Sequence, residues 1–165
     1  MIRIIQLTFI LSLFVQLGYA QTQPTVRTIE EYRVLFNEIT PRLRIAEKDT
    51  ALYIGRPLLE FIEHLEKHGL QVIRVSVIIP CEKEQELIEI TLSFLTRENH
   101  NFTRANRLNR HSIRVDFENT KPFDEALALW RRYQGEFTGE LKAFLSDMVI
   151  KDMSVWIPHR LRQPR

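Results

Sequence analysis

Five arginines, Arg97, Arg104, Arg107, Arg110 and Arg114, fall in one stretch where Glu98 is the only acidic residue, and His100 and His111 lie among them. The planar guanidinium fork suits bidentate contact with carboxylate, sulfate or phosphate. The stretch therefore reads as a binding site for an anionic glycan, a lipid head group or an acidic protein. The competing reading is a long solvated connection whose arginines keep it soluble, because loops are polar by default. Nucleic acid is not the expected partner, since the formal charge of the whole chain is only +2 and basic domains carry a far larger excess.

A second constellation is His64-Leu65-Glu66-Lys67-His68. Two histidines four positions apart on a helix lie one turn from each other and can share a metal ion. In the zinc-protease pattern His-Glu-x-x-His the glutamate takes the second place. Here it takes the third and points away, and no third ligand has a spacing that recommends it. The plainer reading is a surface pair near a helix C-terminus, where positive charge suits the helix dipole.

Paired carboxylates come third. Asp116 and Glu118 alternate on an expected strand, and Asp124 and Glu125 open an expected helix. Carboxylate pairs act as acid and base when burial separates their pKa values. The first pair, however, falls on a solvent face, and the second suits a helix N-terminus. No nucleophile elbow, phosphate-cradling loop or dinucleotide fingerprint is present, and the chain has 5 glycines in all. No cofactor is expected. The residues point to a protein that binds and does not catalyse. The alternative is a small secreted hydrolase or metal-dependent enzyme using His64, His68 and nearby carboxylates.

Two single residues complete the inventory. Cys81 is the only cysteine, so an internal disulfide is impossible. It stands between Pro80 and the charged run Glu82-Lys83-Glu84 and reads as an exposed free thiol, able to link two copies. Trp156 falls on the opposite side of a last strand from Met153, Val155 and Ile157, where an exposed aromatic could anchor a partner. Asn101-Phe102-Thr103 is an N-glycosylation sequon, meaningful only in a eukaryotic source.

These residues need a frame, and hydrophobic periodicity supplies one. Ile73, Val75, Val77 and Ile79 alternate with polar residues; so do Ile88, Ile90, Leu92 and Phe94, and again Ile113, Val115 and Phe117. A period of two marks strands with one buried face. The stripes Tyr32-Leu35-Phe36-Ile39, Leu58-Phe61-Ile62-Leu65, Phe123-Ala126-Leu127-Trp130-Tyr133 and Phe137-Leu141-Phe144-Leu145-Met148 recur at helical spacing. Thr28 and Glu31 form a capping box ahead of the first helix, and Pro41 is expected to end it. Residues 42–53 read as a loop or short edge strand.

The element order is thus α-α-β-β-β-α-α-β. It predicts an α+β fold in which an antiparallel sheet of three to four strands carries helices packed on one face. Met1 to Ala20 reads as a cleaved signal peptide: Arg3, then an apolar run too short to span a membrane, then Gly18-Tyr19-Ala20. Residues 21–27 are expected to be a disordered lead-in, 28–158 a single domain and 159–165 a basic tail. The mature chain is expected to lack a transmembrane segment and to be periplasmic or extracellular.

Overall fold

The computed structural model describes residues 23–78, 86–159 and 161. The leader, Cys81 and all but two residues of the basic tail lie outside them. No helix among the described residues is long and apolar enough to cross a membrane.

The chain runs α1 (Ile29–Asp49), a 3-10 turn (Thr50–Tyr53), α2 (Leu58–Lys67), β1 (Arg74–Val77), β2 (Glu86–Ser93), α3 (Arg97–Ala105), β3 (Ser112–Pro122), α4 (Phe123–Arg132), α5 (Gly139–Leu145) and β4 (Ile150–Trp156). The four strands form one antiparallel sheet in the order β1-β2-β3-β4. The fold is α+β, with the expected elements in the expected order and one helix, α3, added where a polar loop was anticipated. Thr96 caps α3 by accepting from the Asn99 amide.

The register sorts the two sheet faces. Val75, Leu92, Ile113 and Val155 form one inner row, and Val77, Ile90, Val115 and Met153 the next. They join a core with Leu35, Phe36, Leu43, Phe61, Leu65, Ala126 and Leu141 from the helices. On the outer face Arg74, Ser93, Ser112 and Trp156 make one row; Ser76, Thr91, Arg114 and Ser154 make another; and Glu89, Asp116 and Asp152 make a third.

The second strand departs from simple alternation. A register shift between Leu87 and Glu89 buries Leu87 and leaves Ile88 39% exposed, so Ile88 does not share the face of Ile90 and Leu92. An irregularity of this kind breaks the period of two and turns every residue beyond it to the other side.

The first helix also differs. It continues through Pro41 to Asp49. A proline inside a helix costs about 3 kcal/mol, and the extra turns offset this by burying Leu43 and Ala46 completely. Arg42 fastens the continuation: Nη1 donates to the Gly69 carbonyl at 2.9 Å and Nη2 to Glu38 Oε1 at 3.0 Å.

The segment ahead of α1, expected to be disordered from residue 21, is ordered from Gln23 onward. Asn99 Oδ1 accepts from the Val26 amide at 2.7 Å, and its Nδ2 donates to Gln23 Oε1 and the Pro24 carbonyl. Asn99 and Val26 are both buried. The helix Thr96 starts is what holds this strap down.

Candidate functional site

The outer face ends in a basic cluster that only the fold assembles. Arg74 opens β1, His100 and Arg104 lie on α3, and Arg110 precedes β3 by two positions. Arg110 Nη1 contacts His100 Nε2. That contact requires the imidazole to be neutral and to accept from the guanidinium. Burial first, and then the charges of Arg110, Arg74 and Arg104, push the His100 pKa down to about 4. Arg74 in turn feels Arg97 as a repelling neighbour, with Glu98 and Glu136 opposing, and its own pKa is lowered chiefly by burial.

Arg74 is held in place by the turn after α4. Its Nη2 donates to the Gln134 carbonyl at 3.1 Å, and the Glu136 segment bridges to the free edge of β1. Its Nη1 is buried and has no hydrogen-bond partner. An unpaired buried guanidinium donor is costly, and an anion that reached it by a small turn of the side chain would offset that cost.

Of the five arginines singled out in the sequence, the structure therefore gathers Arg97, Arg104 and Arg110, and adds Arg74. Arg107 sits exposed in the turn after α3 with φ 53°. Arg114 lies farther along the outer face and has acids of its own: Nη2 contacts Glu89 Oε2 and lies 3.6 Å from Asp116 Oδ1. His111 leaves the group entirely. It is buried at 3% exposure and packed on Phe36 at 4.1 Å between ring centroids, on the inner side that Ile113 and Val115 of β3 continue, whereas Ser112 belongs to the outer row.

Trp156 is 63% exposed and pairs with Ser112 in the same outer row as Arg74. Asn101 stands in mid-helix on α3, and Thr103 of its sequon is buried with its hydroxyl donating to the His100 carbonyl. Asp124 and Glu125 occupy the exposed first turn of α4. The carboxylate pairs thus keep their structural roles.

His64 on α2 and His68 at its C-cap meet a partner the sequence did not suggest. His64 and His68 lie 4.6 Å apart between ring centroids, and Asp49, the last residue of α1, brings Oδ2 to 3.2 Å from His64 Nε2. Candidate ligand atoms of all three lie within 4.8 Å of one another. Burial and the neighbouring His68 lower the His64 pKa, while Asp49 works against them.

A groove of about 650 Å³ opens elsewhere, among Gln23, Leu35, Arg42, Leu70 and Phe94. None of the arginines of the basic cluster lines it. Comparison with models of protein families, with curated proteins and with solved structures finds no match to this chain.

Proposed function

We propose that this protein is a non-catalytic binding module for an anionic partner, recognised on the outer sheet face by Arg74, Arg97, Arg104 and Arg110 around His100. The observation that carries the reading is the buried, unpartnered Nη1 of Arg74, placed among guanidiniums strong enough to help hold His100 neutral. Charge so concentrated, and so incompletely balanced by Glu98 and Glu136, favours a ligand that supplies negative oxygens. Ser93 and Ser112 stand beside Arg74 in the ladder, and Trp156 closes the row. A sulfated or phosphorylated group on an extended, partly apolar ligand fits that combination of charge, hydroxyls and an aromatic face. The same proposal places the protein outside the cytoplasm, on the strength of residues 1–20 alone.

The test is calorimetric and thermal-shift titration of the purified protein with inorganic sulfate, a sulfated oligosaccharide and anionic phospholipid vesicles, each at low and high salt. A ligand at a hundredfold excess over its dissociation constant stabilises the fold by about 2.7 kcal/mol. Binding should weaken steeply with salt and be lost on joint replacement of Arg74, Arg104 and Arg110 by alanine. Salt-insensitive binding, or binding unchanged by that triple replacement, would overturn the proposal.

A further inference from the structure

We propose that Asp49, His64 and His68 form a binding site for a divalent first-row transition metal ion, with zinc the ion best suited to the donor set. This site is independent of the basic cluster, and neither proposal rests on the other.

The geometry is that of a ligand set. Two ligand atoms on a tetrahedral zinc, each about 2.0–2.1 Å from the ion, sit about 3.3 Å apart. Asp49 Oδ2 and His64 Nε2 are 3.2 Å apart. Without an ion the same contact is a charge-assisted pairing of Asp49 with His64, but its geometry leaves the buried Nε2 short of a well-formed hydrogen bond. His68 Nδ1 or Nε2 completes the group within 4.8 Å, a gap that a modest turn of a side chain closes.

The surroundings hold the imidazole in position. Tyr53 packs on His64 at 5.0 Å between ring centroids and Phe61 stacks at 6.5 Å. The Arg42 hydrogen bond to Gly69 fixes α1 against the C-terminal end of α2, which sets the distance between Asp49 and the histidines. Lys67 is the opposing charge nearby. Two imidazoles and one carboxylate suit zinc, copper or nickel and not calcium or magnesium, which take all-oxygen shells. Three protein ligands leave one tetrahedral position for an exchangeable water or a donor from a partner.

The experiment uses tag-free, full-length protein titrated with cobalt(II). A low-symmetry site of nitrogen and oxygen donors gives visible bands far stronger than those of the aqueous ion. One equivalent should saturate them, and zinc should abolish them by displacement. Asp49→Asn and His68→Gln, both at the rim of the fold, should each weaken binding at least about tenfold, with circular dichroism reporting whether each variant stays folded. A cobalt spectrum that remains that of the aqueous ion overturns the proposal. So does binding that is unchanged in both folded variants.

Discussion

His111, just ahead of β3, hydrogen-bonds Thr40 on α1 through Nε2 and Oγ1, 2.9 Å apart. The single proton of the Thr40 hydroxyl goes to the Phe36 carbonyl at 2.8 Å, so the hydroxyl must accept and His111 must carry its proton on Nε2. The pair ties the first helix to the sheet, and because an imidazolium would also donate from Nε2, the preference for the neutral ring comes from burial and not from this bond. Burial holds the His111 pKa at about 4. Below about pH 6.5 the unfolded chain gains a proton that the folded chain refuses. Stability should therefore fall as the pH drops from about 6.5 towards 4, by up to about 3 kcal/mol, and be unaffected above that window. Urea denaturation at about pH 7 and pH 4.5 checks this. His111→Gln, which keeps an N–H for Thr40, should lose less on acidification than the parent; an equal loss would count against the assignment.

Arg114 and Glu89 make a second pH-sensitive pair, of opposite sign. Glu89 is 7% exposed although it lies on the outer face, and its Oε1 has no hydrogen-bond partner. Burial raises its pKa, Arg114 opposes the rise and Asp116 adds to it. Arg114→Ala removes the opposing charge and should cost about 2 kcal/mol near pH 8, a figure reduced for the half-exposed guanidinium. An acid with a raised pKa keeps a proton in the fold that the unfolded chain releases, so stability falls as pH rises through the window above 4.5. The variant should thus be closest to the parent near pH 5. Adding Glu89→Gln should restore much of the loss at pH 8, and failure to do so would show that Arg114 acts otherwise.

Gly135 couples stability to the proposed anion site. It has φ +79°, and a Cβ there would lie 2.9 Å from Trp130 Nε1, 3.0 Å from Arg74 Nη2 and 3.1 Å from the Val75 carbonyl. Those atoms are not free to move, because Trp130 Nε1 donates to that carbonyl at 2.9 Å. Gly135→Ala should destabilise by about 2–3 kcal/mol and also weaken sulfate binding by displacing Arg74. Gly55 has φ +76° with nothing within 4 Å of its Cβ position. Gly55→Ala should cost only about 1 kcal/mol and leave sulfate binding alone. Thermal denaturation with and without sulfate separates the two effects.

His100 reports directly on the cluster. Its pKa of about 4 comes first from burial and then from Arg110, Arg74 and Arg104. An anion seated among those guanidiniums offsets their share, so the bound state should titrate at least about one unit higher. By linkage, sulfate should bind more tightly as the pH falls towards that value. Following the imidazole resonance by NMR with and without saturating sulfate is the check. A pKa that does not move places the anion somewhere else.

The sequence by itself determined the pieces whose signals are local. Ile113, Val115 and Phe117 alternate because strand side chains alternate, and all three are buried. Thr28 and Glu31 cap a helix because both partners lie within one turn, and the capping box is present. Tertiary structure decided what depends on residues remote in the chain. Burial of Leu43 and Ala46 carries α1 past Pro41, and that alone delivers Asp49 to His64 and His68. Asn99 fastens α3 to Gln23, Pro24 and Val26, which local polarity presented as a loop. The register shift after Leu87 exchanges it with Ile88. Arg74 joins Arg104 and Arg110 because β1, α3 and the approach to β3 meet at one end of the sheet. Periodicity carries the face on which a side chain falls, whereas the identity of its neighbours across a fold is set by packing between segments that no local pattern encodes.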